Sequence, residues 1–444
     1  MNTPQPPPAE VTAGYRPSRR ATLGLLGAAP LAASGLWAMA GCAASADETP
    51  RSASVPAGLG SGGELDRLIA QLAAKDQFSG TVLVAQGGRT VLSRAFGMAD
   101  KARSIRNDQS TIFGLASVTK LFTAVAIAQL VQQGRVAYHE TIGKYLHGFP
   151  AAVADRVTVH QLLTHTSGVG RPSVGPRPDD PAWSSVAQVW DGTMAIIRRT
   201  PLQFAPGTGY AYSNDGYFLL GAIVAEVARQ SYFDYVREHV FRPAGMVDSD
   251  FFTRPAWQAN RRVARPYTNT PPTGQPTTQR VETLAEFPVI GDPAGGAFST
   301  TADLVRFAHA LATERLLDKA HTWLATTPKF PAPPPPATGG PGVVRTSPAP
   351  GVVRTSPGPG VVRTSPSPTT ATQPALPPLF ESYAGSAILM NGQWIGGHSG
   401  GNTLGASTDV GWYSESDLIA VVLSNYEAGV TQPIVQALRR LATG

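Results

Sequence analysis

The run Phe113–Gly134, FGLASVTKLFTAVAIAQLVQQG, leaves the chain little choice about what must surround it. From Ser117 onward it holds good helix formers, with neither Gly nor Pro until Gly134, which can take a left-handed cap. Leu121, Phe122, Val125, Ile127, Leu130 and Val131 leave no polar face wide enough to meet water. The run therefore reads as one helix buried on nearly every side. Burying it takes a sizeable core, and 444 residues have room for one large domain or two ordinary ones.

Ser117 and Lys120 stand at i and i+3, neighbours on one face of the first turn. A serine hydroxyl is a weak nucleophile until a base takes its proton, and a lysine can do so once burial lowers its pKa. A helix start also offers backbone N–H groups and a positive dipole end to an oxyanion. Lysine is scarce here, with six in the chain, and only Lys120 has a serine three positions before it. Arginine, the commoner cation, stays protonated and cannot serve as the base. S-x-x-K is nonetheless short enough to recur by chance, and on this pair alone a solvated helix start is the commoner explanation.

The N-terminus reads as a targeting segment. Ser18-Arg19-Arg20 precedes an apolar run to Ala40, similar to a twin-arginine export signal. Met39-Ala40-Gly41-Cys42 is similar to a lipobox, and Cys42 is the one cysteine, so it has no disulfide partner. Residues 1–42 are thus expected to be an export signal with lipidation at Cys42, and 43–63 a flexible tether. A plain signal peptide or a single membrane anchor remains open at this point. The net charge of +6 resides mostly in this leader and in the arginines of 330–378, so the remainder gives no call for nucleic acid.

Helical spacing marks 64–75, and β-rich runs at 81–85 and 90–95 flank the turn Gln86-Gly87-Gly88-Arg89. Helices are expected at 159–163, 218–228, 233–240 and 301–311, the last capped by Ser299 or Thr300. Residues 330–378 are Pro-, Thr- and Ser-rich, with PGVVRTSP beginning at Pro341, Pro350 and Pro359. Such a tract buries too little apolar surface to offset its ordering entropy, so a disordered insertion is expected, either a spacer or a tolerated duplication. Strands follow at 383–390, 393–395, 408–413 and 418–424, then a helix at 431–442. Strands at both ends with helices between predict one antiparallel sheet, an α/β (α+β) core and an inserted, mostly helical region.

Three further stretches carry candidate chemistry. Tyr212-Ser213-Asn214 lies before a helix, where Tyr212 could act as a phenolate beside Lys120, although a core tyrosine and a helix cap at Asn214 or Asp215 explain it too. Gly396-Gly397-His398-Ser399-Gly400-Gly401 follows a predicted strand, with His398 as a donor and the N–H of Gly401 as partner to that of Ser117 for an oxyanion. The same stretch fits G-x-S-x-G with Ser399 as nucleophile, but that motif needs a later histidine, and none follows His398. His165, amid Thr164, Thr166 and Ser167, reads better as a loop-fixing hydrogen-bonder than as a base. No H-E-x-x-H or cysteine cluster supports a metal or other cofactor.

In this order SVTK, YSN and HSG resemble the three motifs of the serine β-lactamase and penicillin-binding protein superfamily, nearest its class C β-lactamase-related branch. LLTHTSG (162–168), FRPAGM (241–246) and DPAGGAFSTTADLVRFA (292–308) agree in kind, so the likeness covers 64–329 and 379–444. The resemblance implies a five-stranded antiparallel sheet flanked by helices, an inserted mostly helical domain, and an active site between them. It makes Ser117 the acylated nucleophile, Lys120 its base and Tyr212 a proton relay. It makes Asn214, His398, Gly400 and Gly401 the substrate-binding residues. True β-lactamases have Lys where His398 stands, and histidine there is similar to peptidases and esterases of the group. A neutral histidine lacks the constant positive charge that suits a substrate carboxylate. The expectation is an exported, lipid-anchored, monomeric serine hydrolase without cofactor or metal. Its substrate would be a D-amino-acid peptide, a small ester or, less readily, a β-lactam. The alternative is a catalytically silent envelope protein that binds peptidoglycan or a partner through the same fold.

Overall fold

The computed structural model describes residues 55–170, 183–271, 275–333, 344–345 and 377–444. The leader with Cys42, the 172–181 loop and most of the repeat tract lie outside the described residues.

A 3-10 turn, Ala57–Leu59, leads into helix α1 (Glu64–Ala74) and the hairpin of β1 (Gly80–Gln86) and β2 (Arg89–Phe96). Gly87 and Gly88 both take positive φ, 55° and 74°, as the tight turn between these strands requires. The helical part follows as α2 (Thr119–Gln132), α3 (Val159–Leu163), α4 (Val186–Arg199), α5 (Asn214–Ala228), α6 (Tyr232–Val236), α7 (Thr301–Ala312) and α8 (Lys319–Thr326). The chain returns to strands β3 (Phe330–Pro331), β4 (Leu379–Ser382), β5 (Gly385–Met390), β6 (Gln393–Asn402), β7 (Ala406–Tyr413) and β8 (Leu418–Ser424), and ends in α9 (Gln432–Thr443). Small polar side chains set several helix starts: Thr158 makes a full capping box with Gln161 before α3, and Thr300 caps α7.

All of these strands form one sheet in the order β3-β4-β5-β6-β7-β8-β1-β2. Each neighbouring pair is antiparallel, so the two ends of the chain meet where β1 pairs with β8, Gly80 opposite Ser424. Strand alternation splits β8 between two cores: Ala420 and Val422 pack with α1 and α9, whereas Val421 and Leu423 face the cluster around α2. Within that larger cluster every residue from Thr119 to Ala128 is buried, and Phe122 meets Phe241 and Phe307 edge-on at 5.0 and 4.9 Å. The expected buried helix is therefore the axis on which sheet and helices pack.

Three expectations need correction. The sheet has eight strands rather than five: Leu379–Ser382, where Glu381 and Ser382 break the apolar pattern, forms a strand of its own that turns at Tyr383-Ala384 into β5. The edge strand Phe330–Pro331 adds to it, so the insertion begins after residue 331 rather than at 330. Of the repeats, Val344–Arg345 is described, paired antiparallel with Gly209–Tyr210. The tether is also shorter than 43–63. Leu59 is fully buried with Leu65, Ile69 and Leu438, so one apolar side chain pins a segment whose Ser, Pro and Gly content reads as flexible. Ser52–Gly444 forms one compact unit that holds both the sheet and the mostly helical part. No helix among the described residues is long and apolar enough to cross a membrane.

Candidate active site

Ser117 sits in a 3-10 turn, Ala116–Val118, that runs directly into α2. Ala116 just before it has φ +46°, a left-handed conformation that costs a non-glycine residue about 1 kcal/mol or more. Surrounding bonds hold it there. Leu115 N donates to Ala297 O at 2.9 Å, Thr408 Oγ1 donates to Leu115 O at 2.8 Å, and Ala297 N donates to Thr119 Oγ1 at 3.0 Å. Strand β6 presses against the same turn. A Cβ added to Gly400 would stand 2.5 Å from Leu115 O and 2.8 Å from Ser117 N, so only glycine lets the strand come this close.

Lys120 is fully buried, with Nζ 3.1 Å from Ser117 Oγ, 2.7 Å from Asn214 Oδ1 and 2.8 Å from Ala294 O. Burial brings its pKa down to about 7, while Asp292 and Glu381 pull the other way. The partners then decide direction. A carbonyl oxygen and an amide oxygen accept only, so in neutral lysine they take both N–H bonds. The lone pair is left facing the Ser117 hydroxyl, which is the geometry of a general base.

Tyr212 reaches the same point from the turn before α5. Its hydroxyl is hydrogen-bonded to Ser117, and Lys120 Nζ lies 4.8 Å from the ring centroid. Burial pushes its phenol well above the ordinary range, against the lowering effect of the Ser117 bond. The phenolate expected from the sequence is therefore replaced by a neutral phenol: desolvation disfavours the anion more than the buried amine can offset. Asn214 is not the helix cap. Ser213 Oγ takes that role, accepting from Gly216 N at 2.9 Å, which frees the Asn214 amide for Lys120.

His398 stands on β6 with its ring edge-on to Tyr212, centroids 6.5 Å apart. Burial, helped by Lys120, pushes its pKa down to about 3, so the ring is neutral near pH 7. Gly401 follows Gly400 on the same strand, opposite Ser407 of β7. Ser399 points elsewhere: its Oγ donates to Asp409 Oδ2 at 2.5 Å, and Asp409 pairs with Arg439 on α9. Its partner is a carboxylate held by Arg439 and not Lys120, so the arrangement does not mark it as the nucleophile. Cys42 lies outside the described residues.

Two partners escaped sequence reasoning. The Ala294 carbonyl holds Lys120 through backbone that no residue type announces, although its DPAGG turn is glycine-rich. Glu381, buried on β4, accepts from the Tyr210 hydroxyl at 2.7 Å, and burial raises its carboxyl to about 7. A lone Glu at the end of a proline-rich tract gave no signal.

The family model for beta-lactamase matches residues 65–443. The chain belongs to the beta-lactamase family. Among sequence relatives of this beta-lactamase-family chain, a penicillin-binding protein of Bacillus subtilis (strain 168) is 32% identical over 200 residues, 43% of this chain and 42% of that protein. Protein flp of Staphylococcus aureus (strain MW2) is 29% identical over 192 residues, 42% of this chain and 38% of that protein. The chain thus spans about two fifths of the length of these curated relatives. A penicillin binding protein from Bacillus halodurans has a similar structure, with TM-score 0.65, 26% identity and coverage of 84% of this chain and 98% of that one. The D-amino acid amidase from Ochrobactrum anthropi SV3 superposes with TM-score 0.64 over 85% of this chain and 97% of that one. At 22% identity it speaks for the fold alone.

Proposed function

We propose that this chain is a serine hydrolase that works through an acyl-enzyme at Ser117. Its substrate would be an amide or ester, a D-amino-acid peptide or small ester before a β-lactam. The observation that carries the reading is the lone pair of a buried, low-pKa Lys120 aimed at Ser117 Oγ from 3.1 Å. In the first step Lys120 takes the Ser117 proton as Oγ bonds to the substrate carbonyl carbon. The carbonyl electron pair moves onto oxygen, which accepts from the N–H groups of Ser117 and Gly401. Collapse breaks the bond to the leaving group. Its nitrogen or oxygen receives the Tyr212 proton, and the ammonium of Lys120 restores it. Water then repeats the sequence in reverse and frees the acid. Asn214 orients the substrate amide while it holds Lys120. The neutral His398 gives hydrogen bonding without a fixed charge, which favours substrates lacking a carboxylate at that point.

The twin-arginine-like leader and lipobox support export, with Cys42 acylated and the hydrolase held on the periplasmic side of the envelope. The name of the Bacillus subtilis relative supports including a penicillin-like acyl donor among the substrates tried. The test sets nitrocefin, a p-nitrophenyl ester and a D-Ala-D-Ala peptide side by side, with a fluorophosphonate to mark the nucleophile by peptide mass. Label on the Ser117 peptide, lost in Ser117→Ala together with all turnover, is the expected result. Turnover or label that survives Ser117→Ala overturns the mechanism.

A further inference from the structure

His165 is absent from the steps above, yet it brackets Tyr212 on both sides. The N–H of Ala211 donates to its carbonyl at 3.0 Å, and the N–H of Ser213 donates to its Nδ1 at 3.1 Å. Its ring lies over the Tyr212 ring, with centroids 4.3 Å apart and planes inclined by 38°. Tyr217 flanks it at 5.2 Å and Tyr210 meets it edge-on at 6.2 Å. The residue is almost completely buried and holds φ +58°, left-handed backbone that a histidine adopts at a cost. A mere filler of this space has no need of that conformation. The conformation turns both the carbonyl and Nδ1 toward the one segment that carries Tyr212.

The geometry points to His165 as the positioning residue that fixes Tyr212 against Ser117 and Lys120. This rests on the acyl-enzyme reading above, since the phenol has a proton to deliver only in that mechanism. Because Nδ1 accepts from Ser213 N–H, the ring carries its single proton on Nε2. Burial, helped by Lys120 and His398, keeps it neutral, so the accepting lone pair persists. Tyr212 hangs on a two-residue span fixed at either end, and its hydroxyl cannot drift from Ser117 while both bonds stand. A displacement near 1 Å of such a group costs on the order of 100-fold in rate.

The test is a double-mutant cycle on the full chain. It compares wild type, His165→Phe, Tyr212→Phe and the double variant, with methyl and p-nitrophenyl esters of one acyl group. Phe keeps a ring over Tyr212 and removes the acceptor. With the methyl ester, whose leaving group needs a proton, His165→Phe lowers kcat about 10- to 100-fold at little changed KM. With the p-nitrophenyl ester, which leaves as a stable anion, the loss is only a few-fold. In the Tyr212→Phe background the same change adds nothing. His165→Asn restores most of the rate, because its Oδ1 occupies the Nδ1 position and Asn tolerates the left-handed backbone. Should the Phe variant not fold, His165→Gly takes its place, equally at ease at this φ and lacking the acceptor. Equal losses in both Tyr212 backgrounds, or with both esters, overturn the proposal, as does an Asn variant no better than Phe. If fluorophosphonate labels Ser117 but neither ester turns over, acylation of Ser117 by a D-alanine amide, whose leaving ammonia needs the Tyr212 proton, is followed by intact mass in the same four proteins. His165→Phe must then slow acylation only where Tyr212 is present, while fluorophosphonate labelling, which expels fluoride as a stable anion, changes no more than a few-fold. Wild type that is neither labelled nor active sinks the acyl-enzyme reading itself, and this inference with it.

Discussion

Two carboxylates act on Lys120 against its own burial. Asp292 and Glu381 favour the ammonium, while burial favours the free amine, and the balance sits at about 7. The base must be neutral to act, so kcat/KM is expected to rise through pH 7 and level off above pH 8, measured with a substrate that does not itself ionise. Glu381 also titrates at about 7, so this limb belongs to the coupled pair and not to either group alone. Glu381→Gln keeps an acceptor for the Tyr210 hydroxyl and removes the negative charge that stabilises the ammonium. The limb should then move to lower pH by several tenths of a unit or more, read from the pH–rate profile. Movement to higher pH would mean that Glu381 does not act on Lys120. His398→Lys is expected to move the limb the same way by placing a cation near Lys120. It should also lower KM for a carboxylate-bearing substrate a few-fold, an exposed-to-buried ion pair being worth about 1 kcal/mol. No change in KM with and without the substrate carboxylate would show that position 398 does not face it.

Among the elements, α2 was the most legible. Its uninterrupted apolar sequence admits one reading, and Thr119 to Ala128 are buried all round. Lys120, Tyr212 and His398 could be found because each is a scarce residue type held in a short fixed pattern, and Ser117 because it stands three positions before Lys120; the structure brings Ser117, Lys120 and Tyr212 together. Ala294 and Glu381 could not, for a backbone carbonyl has no letter and a single buried acid has no period. Strand boundaries failed where polar residues interrupt the apolar pattern, as at Glu381-Ser382 in β4, and where mixed Gly and polar residues concealed the full length of β6. The 57–63 segment failed for the opposite reason, one leucine outweighing a flexible composition. Leu59→Ala should lower unfolding free energy by about 2–5 kcal/mol, seen as a lower urea midpoint at unchanged m. A change within 0.5 kcal/mol would return this turn to the tether.

At the scale of the whole molecule, the site is a seam and not a pocket within one element. Ser117 comes from the 3-10 turn before α2, Lys120 from α2, Tyr212 from the turn before α5, and His398 from a strand whose register is fixed by β5 and β7. Side chains alternate along a strand, so a one-residue slip of β6 would turn His398 to the α9 face and bring Ser399, with its Asp409 contact, inward. Only the assembled sheet prevents that slip, because Gly400 against Ser117 N and Thr408 against Leu115 O lock β6 and β7 to the start of α2. The helical region shares the same axis, with Phe241 and Phe307 on Phe122. Sheet, helices and site are therefore expected to be lost together. In a urea titration, fluorophosphonate labelling of Ser117, tryptophan emission and far-ultraviolet circular dichroism should trace one transition with coincident midpoints. The tryptophans sample both regions, Trp190 beside α5 and Trp412 on β7, so a separate melting of either would show in emission. Labelling lost well before the other two signals would mean that the seam opens while both sides stay folded. The contacts that hold β6 to α2 would then be weaker than the cores they join.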